Sequence, residues 1–237
     1  FNHGVYMKNK DRIFIVFFLG LLLLLSHAFP SIAIERDPSF YPINSPVREK
    51  LQYESGSVVG NYLALIIGIN DYADKKFNNL KTPVNDSKSL ANTLSEDYGF
   101  SDIKLLLDKD ANNSKIIKAL RHLATVTSEN DSVLIFYAGH GQLDKITGSG
   151  WWIPYDAQIG DTSTYINNAI IQQYVNAIPA RHVLVVSDSC FSGTLLGETR
   201  DMPTAISNKF YASLFKERSR WGLTSGNLTP VEDSGFK

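Results

Sequence analysis

The sequence has a single cysteine, Cys190, among 237 residues. No disulfide can therefore form within the chain, and its one thiol needs another explanation. Charge of one sign is lacking too: 23 lysines and arginines against 24 aspartates and glutamates leave a formal net charge of −1. That excludes the broad basic field that draws a protein to nucleic acid. Long apolar runs are scarce. The longest extends from Ile13 to Leu25, short of the roughly 20 residues that cross a bilayer but within the about 7–15 of a signal-peptide core. No internal repeat or low-complexity segment is visible. The glycine-rich turn Gly139-His140-Gly141 lacks the G-x-G-x-x-G fingerprint and a P-loop lysine, which argues against a nucleotide site.

What remains is ordinary globular composition, 43% hydrophobic and 20% charged, enough for one domain with a substantial core. The N-terminus stands apart. Met7-Lys8-Asn9-Lys10-Asp11-Arg12 is a basic stretch ahead of the apolar run, and Ser31-Ile32-Ala33 supplies the small-x-small pattern of a cleavage site. Residues 1–33 thus read as a signal peptide, or as an anchor if His27, Ala28 and Phe29 extend the apolar segment; residues 1–6 look like an upstream extension of the reading frame. Either way the rest of the chain is expected to be exported. It would be secreted or periplasmic after cleavage, and tethered to the membrane through the N-terminal segment without it. Pro38, Pro42 and Pro46 mark 34–60 as a linker or pro-segment, with the folded domain expected over 61–237.

From Tyr62 onward, short apolar runs alternate with amphipathic stretches. Tyr62 to Ile69 is apolar throughout, as in a strand buried on both faces. Leu90, Leu94 and Tyr98 recur every four residues in a predicted helix from Asp86 to Tyr98, with Asn85 or Asp86 placed to cap it. A strand over Ile103 to Leu107 precedes a helix that Asn113 or Ser114 can cap and that carries Ile116, Ile117, Leu120 and Leu123 on one face. Val133 to Tyr137 and His182 to Ser187 read as further strands, with a short helix near 168–178 between them and a fifth strand from Trp221 to Ser225. This order implies an α/β fold with a mostly parallel sheet and helices on both faces. Lys237 follows a Gly/Ser/Asp-rich turn with no terminal strand or helix, so a C-terminal truncation of the domain stays open.

In such sheets ligands gather at the carboxyl ends of the strands. The reactive residues fall there. The third strand runs into Ala138-Gly139-His140-Gly141, and the fourth into Ser187-Asp188-Ser189-Cys190-Phe191-Ser192-Gly193. A thiol beside an imidazole is the equipment of nucleophilic acyl transfer, and the flanking glycines leave the backbone open to a peptide. Taken alone, Cys190 would be a buried small hydrophobe and His140 a loop residue; the pair at adjacent strand tips argues otherwise.

Tyr137-Ala138-Gly139-His140-Gly141 and Asp188-Ser189-Cys190-Phe191-Ser192-Gly193 resemble the histidine and cysteine motifs of caspase-like peptidases, in the form seen in metacaspases and their bacterial relatives. The resemblance covers about residues 62–226, and the separation of 50 residues matches the spacing of about 50 in caspases. It implies a three-layer αβα fold and a cysteine endopeptidase acting on protein or peptide substrates. Cys190 would be the nucleophile and His140 its base, with the backbone N–H groups of Gly141 and Cys190 as the oxyanion hole. No third carboxylate and no cofactor is required.

The resemblance extends to specificity. Leu80-Lys81-Thr82-Pro83-Val84-Asn85-Asp86 is similar to the segment that helps build the family's S1 pocket, with Asp86 and Asp188 in its acidic positions. Metacaspases bind arginine or lysine there, and two carboxylates favour a cation and repel an acidic side chain. The competing reading makes Asp86 a helix cap and Asp188 a turn residue. The polar stretch 194–220, with Arg200, Lys209, Lys216, Arg218 and Arg220, occupies the place of the family's intersubunit loop and offers sites for self-cleavage. Metacaspases often need calcium. No acidic cluster can be assigned to it here, since Asp71, Asp74, Asp108 and Asp110 read as solvated loop residues. Phe191 departs from the pattern, standing where many metacaspases carry His. The alternative in another functional class is a catalytically silent caspase-like interaction scaffold.

Overall fold

The computed structural model describes residues 58–144, 146–189 and 216–225. The segments read as signal peptide or anchor and as linker, Cys190, which the sequence reading makes the nucleophile, and most of the stretch 194–220 lie outside the described residues. No helix among the described residues is long and apolar enough to cross a membrane.

Five strands form one parallel sheet in the order β2-β1-β3-β7-β8. They are β1 (Tyr62–Gly68), β2 (Asp102–Leu107), β3 (Ser132–Ala138), β7 (His182–Asp188) and β8 (Ser219–Thr224). The interior strands are apolar runs because both faces are covered. Odd-numbered side chains of β1, Leu63, Leu65 and Ile67, join one core cluster, while Ala64 and Ile66 join the other. Helix α1 (Pro83–Glu96) lies on the second face through Leu90, Ala91 and Leu94. Helices α2 (Asn113–Val126) and α3 (Asn168–Ala177) lie on the first through Ile116, Leu120, Leu123, Ile171 and Val175. The result is three layers, αβα, and each fully buried Leu or Ile contributes about 1.5–3 kcal/mol.

A small antiparallel sheet of β4 (Gly141–Leu143), β5 (Gly150–Trp152) and β6 (Ile166–Asn167) occupies a stretch in which no element was expected. Its strands are two or three residues long, too short for a period to show. It joins the first core through Trp152, Ile153 and Ile166.

The helix starts differ from the sequence reading. α1 begins at Pro83, not Asp86, with Thr82 at the N-cap making no side-chain cap bond. Its orphan donors are served from outside: the Asn70 side chain accepts the N–H of Val84 at 2.9 Å and donates to the Lys81 carbonyl. α2 is capped by Asn112, whose side chain accepts the N–H of Lys115. Tyr98 falls beyond the end of α1 yet still packs on its core.

β8 begins two residues before the predicted strand, which removes Arg220 from the loop. The Arg220 guanidinium donates to the carbonyls of Val175, Ile178 and Arg181, and Arg218 donates to those of Asn176 and Ile178. These are carbonyls at and beyond the end of α3, where a helix leaves acceptors unsatisfied. Burial first, then Arg218, pushes the Arg220 pKa down to about 10. Both arginines are thus engaged in the fold.

Gly68 ends β1 where α1 comes down on it. A Cβ there would stand 2.3 Å from Ser87 Oγ and 2.6 Å from the Pro83 carbonyl oxygen. Gly68→Ala should therefore destabilise the domain by about 1–3 kcal/mol, read as a lowered urea midpoint with an unchanged slope.

Candidate active site

The strand ends meet in one row. Gly68 is opposite Ala138, and Ala138 opposite Asp188, so β1, β3 and β7 finish level. His140 and Cys190 are each two residues past that row.

His140 is half-buried and held from several sides. Its N–H donates to Tyr72 Oη at 2.7 Å. Its carbonyl accepts from Tyr137 Oη at 2.6 Å and from the Ile153 N–H at 3.1 Å. Its ring lies between Tyr72, at a centroid distance of 4.9 Å, and Phe77, at 6.1 Å. Nε2 is 2.7 Å from the carbonyl oxygen of Asn78. A carbonyl only accepts, so this bond requires the proton on Nε2 and leaves the neutral imidazole's lone pair on Nδ1. A main-chain oxygen thus orients this ring.

Asn78 can serve because its loop is tied down. Asp108 accepts the N–H groups of Asn70 at 2.8 Å and Asp71 at 3.1 Å, from a backbone with φ of +42°. Aspartate tolerates that left-handed conformation better than most residues. Asp74 accepts from the N–H groups of Lys76 and Ile159, which lower its pKa, and Asp71 accepts from Asn79. Asp110 pairs with Lys115. These four aspartates, read from sequence as merely solvated, are each bonded. Among the described residues no group of three or more His, Cys, Asp or Glu is placed to hold a metal ion.

Asp188 is exposed at the end of β7 and shares the parity of Val186, which puts it on the α1 face. Asp86 is half-buried in the first turn of α1, on that same face. Between them the row offers only Gly68 and Ala138, the smallest side chains available. Gly141 opens β4 opposite Trp152. Ser187 and Ser189, both buried, bring their hydroxyls to 3.0 Å of each other just before position 190. Asn78, Tyr72 and Phe77 were not found from sequence. A carbonyl carries no residue signature, and the two aromatics sit in a loop without period.

The caspase-domain profile matches residues 61–230. The chain belongs to the caspase-domain family. Metacaspase-1 of Meyerozyma guilliermondii is 29% identical over 185 residues, 72% of this chain and 43% of that protein. Metacaspase-6 of Arabidopsis thaliana is 33% identical over 148 residues, 58% of this chain and 40% of that one. The chain therefore spans under half the length of these curated relatives. Among solved structures, caspase-1 from Spodoptera frugiperda is 15% identical with a TM-score of 0.43 over 60% of this chain and 54% of that one, and a protein from Geobacter sulfurreducens is 25% identical with a TM-score of 0.48 over 57% of this chain and 53% of that one.

Within this caspase domain, Asp108 anchors the loop that orients the histidine. Asp108→Ala should cost about 2–4 kcal/mol by stranding two N–H groups and adding left-handed strain. Asp108→Asn, which keeps an acceptor and tolerates the positive φ, should lose less than half of that in chemical denaturation.

Proposed function

We propose that this chain is a cysteine endopeptidase using a Cys190–His140 dyad and cleaving after arginine or lysine. The observation that carries the reading is the His140 ring, bonded through Nε2 to the Asn78 carbonyl and so left with Nδ1 as its basic nitrogen. The level strand ends support the pairing, since β3 and β7 are neighbours in register. Nδ1 takes the thiol proton of Cys190, and the thiolate attacks the scissile carbonyl. The oxyanion accepts hydrogen bonds from the N–H groups of Gly141 and Cys190. As the C–N bond breaks, the imidazolium returns its proton to the leaving amine. Water, activated by the same imidazole, then hydrolyses the thioester and restores the thiol.

Basic specificity rests on Asp86 and Asp188, on one face of the sheet with Gly68 and Ala138 between them. About two strand spacings, near 10 Å, separate Gly68 from Asp188, room for a long side chain whose guanidinium or ammonium meets carboxylates. Asp86 also offsets the positive end of α1 that would otherwise oppose a cation. The substrates would be proteins or peptides. Segment 1–33 would direct export or tether the chain to the membrane. Self-cleavage would fall at Arg200, Lys209 or Lys216, because Arg218 and Arg220 are bonded into the fold.

The test is hydrolysis of matched fluorogenic peptides with Arg, Lys or Asp at P1, by protein starting at residue 34, with and without calcium. Arg and Lys peptides should be cleaved, and Cys190→Ala or His140→Ala should lower the rate about 10³-fold or more. Cleavage surviving Cys190→Ala would overturn the dyad, and Asp-only cleavage the pocket. Asp188→Ala should lower kcat/KM for the Arg peptide about 10–100-fold. Its stability should change by no more than about 0.5 kcal/mol, as expected of an exposed residue.

A further inference from the structure

Two peptide groups flank His140, and a tyrosine hydroxyl grips each. Tyr72 Oη holds the N–H of peptide 139–140 at 2.7 Å. Tyr137 Oη holds the carbonyl of peptide 140–141 at 2.6 Å, together with the Ile153 N–H at 3.1 Å. A trans peptide is planar, with its C=O and N–H pointing opposite ways, and the described residues contain no cis bond. Holding the His140 carbonyl toward Tyr137 and Ile153 therefore turns the Gly141 N–H away from β5.

Strand pairing gives the same direction independently. Ile153 N–H bonds to the His140 carbonyl, and Asp144 N–H bonds to the Ser149 carbonyl at 2.8 Å. Hydrogen-bonded and non-bonded pairs alternate along an antiparallel ladder, which puts Gly141 opposite Trp152 in a non-bonded pair. β4 is an edge of its sheet, so this N–H faces off the ladder.

The two hydroxyls are themselves fixed. Both tyrosines are 0% exposed. The Tyr137 ring stacks on Trp152 at 4.3 Å and 4°, and Tyr72 packs on Phe77 at 5.2 Å. Burial raises both phenol pKa values, so the hydroxyls stay protonated. Gly139 is what lets them in: a Cβ there would stand 2.9 Å from Tyr137 Oη and 3.1 Å from Tyr72 Oη.

We infer that Tyr137 is a positioning residue that aims the Gly141 N–H at the oxyanion through the His140 carbonyl, while Tyr72, through the His140 N–H, positions the base. The inference rests on the peptidase reading above. Neither tyrosine touches substrate or sulfur; each acts through a peptide plane. Removing the Tyr137 hydroxyl leaves the ring stack and the bond from the Ile153 N–H to the His140 carbonyl; it ends the hydroxyl's own contacts with Ile153, at 3.1 and 3.2 Å, and with the Tyr72 hydroxyl, and the carbonyl loses its shorter donor, so the peptide gains freedom to librate.

Two reactions of one thiol separate these roles. Peptide hydrolysis passes through an oxyanion. Alkylation of Cys190 by iodoacetamide does not, since the thiolate forms a C–S bond at a saturated carbon and iodide leaves. Tyr137→Phe should lower kcat for an Arg peptide about tenfold with KM within about twofold, and lower the alkylation rate by much less than kcat. Tyr72→Phe should lower alkylation along with hydrolysis. A wild-type kcat in Tyr137→Phe, or alkylation falling in parallel with hydrolysis, overturns the assignment. Should Tyr137→Phe fail to fold, Gly139→Ala, whose Cβ displaces both hydroxyls, must lower kcat more than alkylation, and an equal fall in both overturns it. A folded wild-type chain that hydrolyses no peptide overturns the peptidase reading and this role with it, a result distinct from an active wild type with an unaffected variant.

Discussion

The register between β3 and β7 is the constraint on which the site depends. Parallel strands that finish level set Ala138, two residues before His140, beside Asp188, two residues before Cys190 in the sequence. A slip of one residue would reverse the faces of the whole strand, sending Val183 and Val185 out of their cluster and Asp188 to the opposite side. The burial of both faces is thus what makes the row of Gly68, Ala138 and Asp188 a fixed floor.

A second layer of order comes from the loop after β1. It carries no regular structure, so its polar backbone has to be satisfied piecewise. Asp108 and Tyr155 do so from outside the loop, while its own Asn70 and Asp74 accept the N–H groups of Val84 and Ile159. The same loop presents the Asn78 carbonyl to His140, and through Asn70 it also sets the start of the helix bearing Asp86. The His140 ring and the start of the helix carrying Asp86 are therefore supported by one segment, and neither can be adjusted wholly apart from the other.

The sequence was informative where a physical signal is periodic or chemically rare. The apolar runs of β1, β3 and β7 and the four-residue spacing of α1 made the layered fold legible. His140 stood out because an imidazole between glycines at a strand tip has little structural use. The small sheet β4–β5–β6 was missed because strands of two or three residues cannot display alternation. Capping was misassigned for α1 because its partner, Asn70, comes from 14 residues away, while for α2 the error was one position, within the usual fraying of a helix start. The Asn78 oxygen could not have been named, since every residue has one.

The attachment of β8 shows how the choice of acceptor sets an element's tolerance of its surroundings. Arg218 and Arg220 donate to peptide carbonyls, which carry no proton to gain or lose. Ties made by Asp74 and Asp110 weaken once acid neutralises those carboxylates, and the Asp110–Lys115 pair is also screened by salt. A guanidinium on a carbonyl meets neither limit at ordinary acidity or salinity. The outer edge of the large sheet is consequently buffered against chemical change in the medium.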